Sequence, residues 1–318
     1  MKWTDEPTIW EPRWSNAKGT YYVVRADALQ LSFPENHGFS AAGIRFVPLR
    51  LPRRFGAGLL GAGVYFTGKA EFFLKAANWM EAVILASDGV LQVASDLLSF
   101  AQRRPVRFCR LSLEDEQHVF RRVSPIGTIS AVPREPRIPA EKIAIFLHES
   151  MTRLRSLDMP KHTLVMESVK WVNEGTCSAP TPEMRYSMLW MALETCLGVE
   201  ESSRNLLLSA DELKSLRTNV QKWAEEQCLD ADRAAKLVKS IRNVNRASSY
   251  QRIMRFCNQH KIRVSEEEIS AMLEARNTLQ HEPWARPPNL LEIVTRLDEM
   301  VGRCILCQLG SDLAFQPS

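Results

Sequence analysis

From residue 139 onward, apolar positions recur every three or four residues, the period of amphipathic helices. The spacing predicts helices over 140–156, 162–174, 184–199, 211–228, 230–243, 249–260, 265–279 and 288–308. Ser209 with Glu212 and Ser265 with Glu268 have capping-box spacing, and Asn289 follows two prolines at the start of the last helix. Segment 211–228 places Leu213, Leu216, Val220 and Trp223 on one stripe. Segment 184–199 is apolar nearly all round apart from Glu194, so it is expected at the buried centre. The last helix carries Leu290, Val294, Leu297, Val301 and Cys304, a seam for a neighbouring helix within the chain or in a second copy.

Before residue 139 the texture differs. Short runs rich in β-branched and aromatic residues predict strands at 21–25, 29–33, 44–51, 63–66, 106–113 and 118–123. Pro48 makes 44–51 an edge strand. Helices are expected over 71–86 and 88–102, and residues 1–20 read as an irregular, tryptophan-rich lead-in. Pro125, Pro133, Pro136 and Pro139 form an extended connector. The expected fold class is therefore α+β: a mixed α/β domain over 1–135, followed by an all-α helical bundle over 139–318.

The 318 residues suffice for two domains. The acidic, proline-containing start lacks signal-peptide character, and no apolar run suggests a membrane span. With an odd, scattered set of seven cysteines, this predicts a cytoplasmic protein with reduced thiols. Cys304 and Cys307 form a lone CxxC on an apolar helical pattern, which reads as core packing; no metal or cofactor site is predicted. The net charge of +4 is carried by the first half, where Arg53, Arg54, Arg103, Arg104 and Arg107 belong to clusters. These read either as a solvated face or as a groove that steers RNA or another polyanion.

One segment carries distinctive chemistry. On the 265–279 helix, Arg276 continues the inward stripe of Ile269, Met272 and Leu273, where a guanidinium calls for an anion. Asn277 follows it, and His281 lies five residues beyond Arg276, about 140° round an ideal helix. Two other arginine–histidine pairs have similar spacing, Arg155 with His162 and Arg255 with His260. Only Arg276 with His281 sits at the end of a capped helix that leads, past Pro283, into a long closing helix.

Arg276-Asn277-x-x-x-His281 before a final helix resembles the Arg-x4–6-His signature of the HEPN superfamily. Leu189-Trp190-Met191-Ala192-Leu193-Glu194 resembles the W-x-A-L-E segment of its Apea-like branch. The resemblance covers roughly residues 160–310. It implies a helical bundle, often dimeric with facing sites, metal-independent RNA cleavage, and roles in toxin–antitoxin and anti-phage systems. It assigns phosphate binding to Arg276, acid–base work to His281, an orienting role to Asn277 and a supporting one to Glu194. Glu194 equally suits a structural salt bridge. Pro283 stands where some members carry a tyrosine, so functions of that tyrosine are not carried over. The expectation is an RNase effector that forms a homodimer through its helical domain, with a phage-derived or antitoxin partner at the first domain. The alternative is a non-catalytic helical module that dimerises and binds a partner or nucleic acid.

Overall fold

A computed structural model describes residues 9–10, 19–34, 37–57, 63–122, 135–199, 209–244, 248–282 and 285–311. The lead-in, Pro125, Pro133 and Pro283 lie largely or wholly outside them. The chain is α+β, with two compact units: Met1–Cys196 with Pro288–Ser318, and Leu197–Pro287. The division does not fall at the proline-rich connector. The expected all-α segment contributes its first helices and its last one to the unit that holds the sheet.

The sheet of the first unit runs β3 (Phe39–Ala41), β4 (Ile44–Ala57), β5 (Gly63–Ala76), β2 (Thr20–Leu29), β6 (Arg107–Glu114) and β7 (Val119–Arg122), all antiparallel. A short β1 (Ile9–Trp10) pairs parallel with β5 at Phe73 and Leu74. Period two sorts the side chains. Tyr22, Val24, Ala26 and Ala28 on β2 and Ala70, Phe72 and Leu74 on β5 are buried. On the other face Arg25 bridges Glu114 at 2.6 Å and Glu71 at 3.6 Å. This alternation runs through 71–76, so the helix expected from residue 71 is instead the end of β5. Likewise β2 is continuous and ends at Leu29, where a second strand was expected to begin. Pro48 sits in β4 beyond the reach of β3, which pairs only with Ile44–Phe46. Among the described residues no strand needs the N–H that proline lacks there.

The helix between β5 and β6 is α1 (Trp79–Ile84), a π-helical stretch over Leu85–Leu91, and α2 (Gln92–Gln102). As one span, Trp79–Gln102 is long and apolar enough for a membrane crossing, contrary to the sequence expectation. Glu81, Asp88 and Asp96 interrupt it, and 61% of its apolar window is buried inside the fold. It is the central helix, packed against β6, α3 (Ile143–Ser156) and α4 (Met159–Cys177). The expected central helix, α5 (Pro182–Gly198), instead buries Tyr186, Leu189, Trp190 and Leu193 and exposes Met184 and Met191. The seam of α10 (Leu290–Gln308) is consumed within the chain. Leu290, Val294, Leu297, Val301 and Cys304 are buried, and α10 packs on α4.

A buried ionic cluster joins these layers. Asp298 on α10 accepts from Arg103 at 2.9 Å, from Arg185 at 3.0 Å and from Arg137. Arg103 is the left-handed C-cap of α2, and Arg185 lies in the first turn of α5. Arg137, fully buried between two prolines of the connector, also donates to Phe100 O at 2.9 Å and lies 4.8 Å from the Phe100 ring.

The second unit holds α6 (Ala210–Glu226), α7 (Ala231–Val244), α8 (Ser249–Gln259) and α9 (Glu266–His281). The α6–α7 connection is short because Cys228 takes a left-handed conformation and Leu229 N–H returns to Ala224 O at 3.0 Å.

Two buried aspartates in the first unit should respond to pH in opposite directions. Burial raises the Asp298 carboxyl, but the charges of Arg137, Arg103 and Arg185 outweigh it and hold the group below the ordinary aspartate value. Asp298→Asn strands buried guanidinium charge and is expected to cost about 3–5 kcal/mol in urea unfolding. That loss should stay constant from neutrality down to about pH 4 and shrink below it, as Asp298 of the unfolded wild-type chain takes up a proton that the folded chain still resists. For Asp96, burial raises the carboxyl and the hydrogen bond from Gln92 offsets this only in part. Asp96→Asn should therefore raise Tm at neutral pH, with the gain vanishing as acid neutralises the wild-type carboxyl.

Candidate active site

The candidate segment is the last three turns of α9. Its start is fixed by a capping box: Glu268 N–H donates to Ser265 Oγ at 3.2 Å, and Ser265 N–H to Glu268 Oε2 at 2.8 Å. Glu266, Glu267 and Glu268 place negative charge at the positive end of the helix dipole. Ile269, Met272 and Ala275 are buried and set the rotation of the helix. Leu273, expected on that stripe, is half-buried, and Ala275 takes its place.

That rotation decides where the candidate side chains go. Arg276, next to Ala275, is half-buried, while Asn277 and His281 are exposed. The helix continues through His281, and Glu282 N–H closes the last turn on Thr278 O at 2.8 Å. No distortion therefore brings Arg276 toward His281, and the two leave the axis about 140° apart. Asn277 and His281, four residues apart, share one exposed face about 40° wide. The segment presents an amide and an imidazole side by side to solvent, with a guanidinium on the flank turned toward the interior.

Glu194 is half-buried on α5 in the first unit, whereas Arg276 belongs to the second. The other spaced pairs resolve differently. His260 is the C-cap of α8 and lies against the Phe256 ring at 4.4 Å, and Arg155 to His162 crosses the break between α3 and α4.

Of the arginines expected to face a polyanion, Arg103 is misassigned. It is 3% exposed and committed to Asp298, because the chain turns left-handed there and folds its side chain inward. Arg104 is half-buried, and burial lowers its pKa. Arg107 is half-buried and donates to Ser95 Oγ at 3.4 Å and Val106 O at 3.3 Å. Arg53 and Arg54 lie on β4 opposite Phe66 and Tyr65, with side chains outside the described part of the structure. The exposed arginines near these in sequence are Arg50 and Arg110, with Arg121 and Arg122 on β7; Arg110 pairs with Asp27 at 3.6 Å. Among the described residues no group of three or more His, Cys, Asp or Glu is placed to hold a metal ion. Comparison with protein-family models, with curated proteins and with solved structures returned no match.

Because the capping box sets the start of α9, Ser265→Ala should destabilise that helix by about 1 kcal/mol. Hydrogen exchange would show this as roughly fivefold faster opening of amides between Ile269 and Ala275, with the amides of α2 unchanged.

Proposed function

We propose that this chain is a metal-independent endoribonuclease of HEPN type, acting as a toxin or anti-phage effector, with the end of α9 as its reactive edge. The observation that carries the reading is the exposed Asn277–His281 face at the end of a capped helix, flanked by Arg276. An imidazole is the side chain best suited to move protons near neutrality. His281 takes the proton of a ribose 2′-OH as that oxygen attacks the adjacent phosphorus. The bond to the 5′-oxygen breaks, and that oxygen leaves with a proton from an acid. The products are a 2′,3′-cyclic phosphate and a 5′-OH.

One imidazole cannot serve as base and acid in the same concerted step, so His281 from a second copy is assigned the other role. Arg276, extending from the flank, neutralises the charge that grows on the phosphate, and Asn277 orients the phosphate or His281. Arg53 and Arg54 keep an RNA-steering role in this reading, while Arg103 has none. The sheet-bearing unit is the proposed receiver of a phage-derived or antitoxin signal. A second reading, a non-catalytic helical module that binds a partner or nucleic acid, is favoured by the half-burial of Arg276 and its distance round the helix from His281.

The test is cleavage of bulk RNA and tRNA in EDTA by purified wild type, His281→Ala, Arg276→Ala and Arg276→Lys. Wild type should cut to cyclic phosphate ends, and His281→Ala should lose about a hundredfold or more. Arg276→Lys should recover only part of the activity lost in Arg276→Ala, since an ammonium keeps the charge without the planar fork. Cleavage that survives both alanine substitutions removes the assigned roles and leaves the binding module.

A further inference from the structure

The α6–α7 hairpin carries an apolar face that the described parts of its own chain leave open. Leu216 and Trp223, one heptad apart on α6, are 37% and 50% exposed, and Leu237 on α7 is 38% exposed. Among the described side chains of these two helices, Ala224 alone is buried. Half-buried Leu213, Arg217 and Val220 on α6 and Ala234 and Val238 on α7 mark the sides that the two helices, which pack on each other, turn inward.

Helical geometry places the exposed residues relative to that seam. Leu216 and Trp223 lie about 70–90° to one side of the α6 contact line, and Leu237 about 80° to one side of the α7 line. The helices run antiparallel, so both rotations lead to the same side of the hairpin. The three side chains therefore form one stripe. Helices of this length draw their stability from packing an apolar face, not from propensity, so this stripe calls for an occupant.

The rims of the stripe say which. On the α6 side stand Glu212, Asn219 and Glu226; on the α7 side stand Arg233, Lys236 and Ser240, all exposed. The face is acidic along one edge and basic along the other. We infer that the occupant is a second copy of the same hairpin, related by a two-fold axis running parallel to the helices. That axis lays α6 of one copy over α7 of the other, acidic rim on basic rim, with Leu216, Trp223 and Leu237 closing a four-helix layer between them. A two-fold axis across the helices would instead set α6 on α6 and α7 on α7, with like charges facing. The inference assigns the pairing surface to this hairpin and not to the internally consumed seam of α10. It stands whether or not His281 cleaves RNA.

The experiment is a solution mass of the full chain by light scattering and sedimentation at micromolar concentration. Wild type should be a dimer. Leu216→Glu with Trp223→Glu should be a monomer with an unchanged circular dichroism spectrum. A charge exchange keeps the test independent of folding. Asn219→Lys with Glu226→Lys makes both rims basic, and Arg233→Glu with Lys236→Glu makes both acidic. Each variant alone should dimerise at least about tenfold more weakly, and an equimolar mixture should recover a heterodimer of wild-type strength. A monomeric wild type overturns the inference, as does a dimer indifferent to the apolar pair. Charge variants that dimerise alone as well as in mixture overturn the two-fold arrangement.

Discussion

The first unit depends on one carboxylate. Asp298 is 1% exposed and takes guanidinium groups from Arg103, Arg137 and Arg185, which lie 195, 161 and 113 residues earlier in the chain. Apolar burial supplies most of the driving force for bringing these segments together, but it is non-directional and permits helices to slide. A buried charge does not permit this, because every alternative register leaves a carboxylate or a guanidinium unpaired in a medium where that costs several kcal/mol. The cluster therefore fixes the C-terminus of α2, the chain at Arg137, the first turn of α5 and the middle of α10 in one arrangement. It also explains why the unit does not divide at the prolines: Arg137, between Pro136 and Pro139, is drawn completely inside.

Sequence periodicity was most informative where each helix has one apolar face and a marked start. Among the described residues, the eight helices expected after residue 139 lie where their stripes place them, and the capping boxes at Ser209 and Ser265 are formed. It failed at 71–76, where Glu71, Lys75 and the alanines suit a helix locally. The alternation of Phe72 and Leu74 with Phe73 and Lys75 becomes decisive only because β2 and β4 offer hydrogen bonds along Gly63–Ala76. That is tertiary context overriding local propensity. It also failed for Arg103. A cluster of arginines looks the same in sequence whether it faces water or a single aspartate nearly two hundred residues away.

The candidate edge at the end of α9 was legible in part. The capping box and the positions of Ile269 and Met272 fix the rotation of the helix, and with it the exposure of Asn277 and His281. The spacing of Arg276 and His281 singled out the segment, yet five residues on an unbroken helix separate two side chains rather than pair them. The combination that shares a face is Asn277 with His281. The sequence placed Asn277 beside Arg276 as its neighbour in the chain, whereas the unbroken helix groups it with His281.

The same limit governs the two apolar seams. The stripes of α6 and of α10 look alike as sequence, each a run of apolar residues at three- and four-residue spacing. Period reports that a face wants covering, not what covers it. For α10 the answer lies within the chain, where α4 offers a matching surface and Asp298 locks the rotation. For α6 the main neighbour among the described residues is α7, itself apolar on one narrow face. Two narrow stripes meeting at one seam use up part of each, and the remainder stays on a common side. A helical hairpin can bury that remainder only against a third surface. The opposed charges along its two edges give such a surface an orientation, as the arginines around Asp298 do for α10. In the inferred dimer, as around Asp298, directional charge sets the register and apolar area supplies the attraction.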